Sequence, residues 1–261
     1  MFSICKSNKP QKVRKGSIII LINLKLCVYN RNTTEKKTGE RERLMARPPY
    51  KAEQRNQIFA CFVNAASEIM ENEGMAELTL RKVAKRAGYN SATLYNYFKD
   101  LDHLVMYASM KYFQEYNQNL TIYIADIKDD YLRFISIWEF FCDSAFRHPH
   151  AFYNLFYGKY SGELESIIQE YYQVFPEELG EMDDRVLDML TTGALPERNM
   201  SIMRPLVEQG YMTGEEGPIF NEIILYCFKE LLSQKIQLGD ELDNHALIER
   251  QIRYIQAVLR R

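Results

Sequence analysis

The chain has 261 residues and no paired cysteines. Cys5, Cys27, Cys61, Cys142 and Cys227 are scattered singly with no CxxC spacing. That excludes a disulfide framework and a thiolate metal knuckle, and it fits reduced thiols. Four histidines show no metal-ligand spacing. His148 and His150 flank Pro149, which reads as a helix-breaking turn, with ligand contact as the alternative. No G-x-S-x-G, H-E-x-x-H or Walker loop occurs, so no catalytic residue, metal site or cofactor is expected. Strand-rich segments alternating with helices are also missing, which disfavours α/β enzyme scaffolds. The glycines at 210, 214 and 217 do not form a dinucleotide loop: no strand precedes them, and Glu215–Glu216 would repel a pyrophosphate. They read as a loop. The longest apolar run, Ser17–Val28, falls short of the roughly twenty residues a bilayer span needs, and Lys25 interrupts it. No small-residue cleavage site follows it, so no membrane partner is expected.

What is present centres on Thr79–Leu104, TLRKVAKRAGYNSATLYNYFKDLDHL. Leu80, Val83, Ala84 and Ala87 repeat at i, i+3, i+4, i+7 and form one apolar helix stripe. Thr79 stands at the N-cap position. Gly88 supplies the left-handed stop. Asn90 or Ser91 caps a second helix, in which Leu94 and Phe98 face inward. Its outward face carries Ser91, Ala92, Thr93, Tyr95, Asn96 and Tyr97 rather than the Glu and Lys of an ordinary solvated face. Arg81, Lys82, Lys85, Arg86 and Lys99 flank it. Two crossed helices joined by about three or four residues beside a basic flank describe a DNA-binding helix-turn-helix.

The pattern T-x-x-x-(V/I)-A, then A-G, T-L-Y-x-(Y/H)-F and K-(D/S)-x-x-x-L is in register here, and it resembles the DNA-binding region of the TetR (tetracycline-repressor-like) family of bacterial regulators. With Arg55–Gly74 included, the resemblance covers about fifty residues. Matched residue by residue, it implies phosphate contacts from Thr79, Lys82, Tyr95, Tyr97 and Lys99. For Tyr95 and Tyr97 the alternative is packing against neighbouring helices. Base reading falls to Asn90, Ser91, Ala92 and Asn96: an amide bridges adenine's edge and a methyl meets thymine's, which points to an A·T-containing half-site. The resemblance further implies a cytoplasmic homodimeric repressor with readers about 34–36 Å apart on a near-palindromic operator. A small-molecule effector would release it by binding one of two conformers better. The competing reading is a helical small-molecule-binding protein or enzyme with a vestigial DNA reader.

Charge divides the chain in the same way. Residues 1–45 carry net +8, residues 46–99 net +3 and residues 100–261 net −13, so a weakly basic module adjoins an acidic body. The expected fold is all-α, with three parts. Residues 1–44 form a disordered or non-native extension, with Met45 as the natural start. Residues 45–99 form a three-helix DNA-binding domain. Residues 100–261 form a helical effector-binding and dimerisation domain. Within the body, helices are expected over about 101–119, 129–147, 161–175, 182–192, 196–210, 218–237 and 244–260. The helix over 129–147 is apolar on most faces, which marks it as central. Trp138, Phe141, Phe152, Tyr153, Phe156 and Tyr157 are the candidate pocket lining, for an apolar or cationic aromatic ligand; the alternative for each is ordinary core. The last two helices are the expected dimer interface, as a four-helix bundle, with packing inside one subunit as the alternative.

Overall fold

The computed structural model describes residues 49–179 and 194–259, and among them the regular structure is helical throughout. The ten α-helices are α1 (Pro49–Asn72), α2 (Leu80–Arg86), α3 (Ser91–Leu94), α4 (Leu101–Tyr123), α5 (Asp130–Arg147), α6 (Pro149–Tyr157), α7 (Leu164–Val174), α8 (Leu195–Glu208), α9 (Glu216–Leu238) and α10 (Asn244–Val258). The helix expected over 182–192 and the reading of residues 1–44 lie outside the described residues.

The boundaries follow from capping chemistry. Thr79, Asn90, Asp100, Asp129 and Asp243 each accept a backbone N–H three residues on, at the starts of α2, α3, α4, α5 and α10. Each thereby satisfies an amide that the first helical turn leaves without a partner. Pro149 opens α6 directly after α5 ends, because its fixed φ suits a first-turn position and its missing N–H is not needed there. The aromatic run after His148 is therefore a helix of its own, and His148 stacks on Tyr112 at 4.1 Å between ring centres. Of the three glycines read as one loop, Gly210 turns the chain at φ 77° while Gly217 lies buried inside the first turn of α9.

Three helices build the reading head. Phe62 of α1, fully buried, lies under Tyr89, Tyr97 and Phe98 at 5.3, 5.8 and 6.1 Å. Leu94 and Phe98 close this small core from the far side of the elbow. α4 then joins head to body. Near its start Tyr107 packs edge-on to Phe59 of α1 at 4.9 Å; nine residues later Tyr116 meets Phe141 of α5 at 5.4 Å. At 1.5 Å per residue these contacts stand about 14 Å apart on one rigid rod. Around α4 the body is a helical cluster with α5 at its centre, touching α4, α6, α8, α9 and α10. That placement follows from α5's apolar surface, which buries Phe134, Ile135, Ile137, Trp138, Phe141, Cys142, Ala145 and Phe146.

Candidate functional site

The elbow is set by backbone chemistry. The Thr79 hydroxyl accepts from Lys82 N–H at 3.2 Å, and Val83 and Ala84 bury the inner face of α2. Gly88 then takes φ 80°, a left-handed conformation with open space where a Cβ would stand, so the constraint there is conformational rather than steric. Asn90 starts α3: its Oδ1 accepts from Thr93 N–H at 2.8 Å and from the Thr93 hydroxyl at 3.0 Å. Only Ser91–Leu94 forms a regular helix, but turn hydrogen bonds from Tyr97 N–H and Phe98 N–H to Leu94 O carry the winding on to Phe98. The outer surface of the elbow presents Ala92, Tyr95 and Asn96, with Tyr95 60% exposed.

The nominated base readers divide on inspection. Asn96 is exposed and has its whole amide available, and Ala92 is exposed beside it. Ser91 is half-buried. Asn90 is spent as a cap: both lone pairs of its carbonyl oxygen are engaged, so the donor-plus-acceptor bridge to adenine falls to Asn96 alone.

The nominated phosphate contacts divide in the same way. Tyr95 stands free. Tyr97 is half-buried against Phe62, with the Arg55 guanidinium 5.6 Å from its ring centre, so packing holds its ring. Lys82 is paired with Glu73 at 2.5 Å and Glu77 at 2.9 Å, hydrogen bonds that raise its pKa above the usual lysine range. Lys99 reaches out of the head to Glu163 at 2.7 Å and lies over the Tyr160 ring. Arg86 is likewise held by Glu73 at 2.6 Å. Arg81 and Lys85, one helical turn apart on α2 and both exposed, have no ion pair among the described residues. Sequence reasoning did not single these two out, since four cations in six residues look alike until their acidic neighbours are placed.

A second junction fastens head to body. Asp100, the α4 cap, also accepts from Lys159 Nζ at 2.6 Å and from the Tyr160 hydroxyl at 2.7 Å. Partial burial pushes its carboxyl up, but these bonds and His103 N–H outweigh it and hold the pKa at about 2.

In the body the six nominated aromatics fall into two groups. Trp138 and Phe141 line a cavity of about 30 Å3 together with Tyr116, Ile137, Leu195, Arg198, Asn199 and Ile202. Phe152, Tyr153, Phe156 and Tyr157 do not line it. Phe152 and Phe156 pack edge-on to Phe141, each 5.7 Å away. Tyr157 donates to Leu225 O at 3.3 Å, and Tyr153 stacks beside it. Two polar residues of the cavity wall, Arg198 and Asn199, went unread because the run PERNM looks like a solvated helix face. Both are buried. Asn199 accepts from Trp138 Nε1 at 3.0 Å and donates to Asn221 Oδ1 at 2.8 Å.

The inward stripes of the last two helices are covered within one subunit: α9 packs on α6, α8 and α10, and α10 on α5. Leftover apolar surface is elsewhere. Ile219, Ile223 and Tyr226 stand exposed at i, i+4, i+7 along α9, and Tyr254 stands exposed on α10.

A capped two-helix elbow on its own three-helix core, joined to a helical body, defines a helix-turn-helix DNA-binding transcription regulator. Residues 62–107, from the middle of α1 through the first turns of α4, match the family model described as bacterial regulatory proteins, tetR family. The chain is a TetR-like protein. Among solved structures it is similar to Thermus thermophilus FadR, described as a TetR-family transcriptional repressor in complex with lauroyl-CoA. That match has 14% identity over 76% of this chain and 92% of the other, with a TM-score of 0.51. It is similar also to FadR of Bacillus subtilis in complex with stearoyl-CoA, at 14% identity over 76% and 97% of the two chains, with a TM-score of 0.46. No curated protein sequence matches. Among the described residues no helix is long and apolar enough to cross a membrane.

Proposed function

We propose that the protein represses transcription as a homodimer on a near-palindromic operator and is released when a small molecule enters its body. The observation that carries this reading is the elbow's outer surface. Ala92, Tyr95 and Asn96 are exposed, and Arg81 and Lys85 have no acidic partner beside them among the described residues. Such a surface contributes nothing to folding and suits a groove edge flanked by phosphates. The exposed apolar line of Ile219, Ile223 and Tyr226 on α9, with Tyr254 of α10, supports self-association through these two helices. Two copies would then present two elbows at operator spacing. Release is supported by α4, which touches the cavity through Tyr116 and the head through Tyr107. A ligand that favours one position of this rod changes the spacing of the readers.

The test is a gel-shift titration of the DNA upstream of the protein's own gene, with wild type and a Tyr95→Ala/Lys99→Ala double variant. Wild type is expected to shift a discrete fragment and the variant to shift it far more weakly. Equal binding by the two would sink the reading. Sedimentation of Tyr226→Asp tests the dimer: it is expected to run as a monomer.

A further inference from the structure

Among the described residues Arg198 is a buried cation with no counter-charge. It is 4% exposed, and its guanidinium carbon lies 4.5 Å from the centre of the Phe113 ring and 5.8 Å from that of Phe156. Its Nη1 has no acceptor, and no carboxylate among the described residues pairs with it. Burial draws its pKa down to about 10, which leaves it charged at neutral pH. Two aromatic faces offset only part of the cost of taking such an ion out of water. Tyr116 and Tyr172 are near enough to feel that charge, but burial pushes both their hydroxyls up, so neither supplies an anion. The Tyr172 hydroxyl is itself buried without a partner. Asn199, by contrast, has both amide protons committed, to Asn221 and Met203, and accepts from Trp138.

A buried guanidinium in the wall of an aromatic cavity, with the orphaned Tyr172 hydroxyl close enough to feel its charge, suits an acidic group. We propose that the effector is a small organic monocarboxylate whose carboxylate pairs with Arg198 and accepts from Tyr172, and whose apolar part packs on Tyr116, Trp138 and Phe141. This rests on the reading of the protein as a ligand-responsive regulator and names the chemistry of the ligand. A planar guanidinium fork matches a carboxylate with two parallel hydrogen bonds. The space of about 30 Å3 takes the charged head and little more. Admitting the rest therefore displaces the wall, and the wall includes both α8, which carries Arg198, and Tyr116 of the connecting rod.

Trp138 is the single tryptophan of the chain and lies in the cavity wall, so its fluorescence reads binding without DNA. Full-length protein is titrated with benzoate against benzyl alcohol and with octanoate against 1-octanol. At least one acid is expected to bind ten-fold or more tighter than its alcohol. Arg198→Met is expected to erase that preference while melting at or above the wild-type temperature, since it removes an unpaired buried charge. Tyr172→Phe is expected to weaken the acid a few-fold. Equal binding of acid and alcohol, a preference that survives in Arg198→Met, or the same saturating response to chloride or phosphate would each overturn the proposal. Should Arg198→Met fail to fold, the wild-type acid–alcohol comparison and Tyr172→Phe decide alone. An acid that binds without releasing DNA would leave this site standing and remove the proposed regulation. Release by neutral ligands alone would do the reverse.

Discussion

The reading head and the body use aromatic side chains to opposite ends. In the head a few rings, Phe62, Phe98 and Tyr97, make a core just large enough to fix the elbow. Ala92, Tyr95 and Asn96 are then free to face outward. In the body Phe141 alone meets Tyr116, Trp138, Phe152, Phe156 and Phe228 within 5.0–5.7 Å. Function in the head lies in what packing does not use. Function in the body is embedded in what packing does use. A substitution should therefore separate stability from binding cleanly in the head and confound the two in the body.

The largest effect tests the body. Phe141→Ala removes a ring that touches five others, so it is expected to cost about 3–5 kcal/mol of stability, the range for truncating a buried aromatic. A urea titration followed by circular dichroism measures it. A cost below about 1 kcal/mol would mean that the aromatic cluster is loosely packed and the cavity larger than it looks.

Next comes the head. Asn96→Ala removes the one elbow amide with both donor and acceptor uncommitted, and it is expected to weaken operator binding by about 1–3 kcal/mol. Stability should stay within about 0.5 kcal/mol, as for other exposed positions. Asn90→Ala should behave the other way round. Losing the cap costs about 1 kcal/mol of stability, and base discrimination should change little. If Asn90 proves the stronger specificity determinant, its capping bonds must break on DNA.

This contrast also explains how much was legible in the sequence. The cap at Thr79, the cap at Asn90 or Ser91 and the turn at Gly88 are local devices, each defined by a residue and its near neighbours in the chain. The elbow was readable for that reason. The end of α5 at Pro149 and the apolar periodicities of α5 and α10 were readable too, as one-dimensional signals, whereas the helix that Pro149 opens was read only as a turn and a run of aromatics. Partners 9 to 64 residues distant were not. Nothing in the run RKVAKR tells that Lys82 and Arg86 answer to Glu73, or that Lys99 answers to Glu163. Nor does a periodic stripe distinguish Trp138, which lines the cavity, from Phe152, which packs against Tyr116, Phe141 and Phe156 and does not line it. Arg198 was hidden for the same reason: its burial depends on where α8 docks, not on its neighbours in the chain.

A smaller effect sharpens the boundary between the two regions. The Asp100 carboxyl is held at about 2, below its ordinary 3.8, so its ionised form favours the folded state. Its contribution is fully present above pH 4 and is lost as pH falls from about 4 towards 2. The side chain is a third exposed, so after screening the amount is about 1 kcal/mol. Asp100→Asn should therefore be less stable than wild type at pH 7 by about that much, with the two converging near pH 2. A constant difference across that range would assign the effect to altered hydrogen bonding rather than to the carboxylate's charge, since asparagine also caps.

The smallest effect divides the head internally, by the salt dependence of operator binding. Each phosphate neutralised by a lysine or arginine releases counterions, and its loss lowers the slope of log affinity against log salt by about 0.9. Lys85→Ala and Arg81→Ala are each expected to show that drop, since neither cation has an acidic partner to leave among the described residues. Lys82→Ala is expected to show almost none, because its ammonium is already neutralised by Glu73 and Glu77 at 2.5 and 2.9 Å. The family pattern would assign the contact to Lys82; the ion pairs move it one position earlier or three later. A full drop with Lys82→Ala and none with the other two would show that DNA competes successfully with both glutamates. In that event the two glutamates of the turn between α1 and α2 would act as a gate on binding rather than a brace for α2.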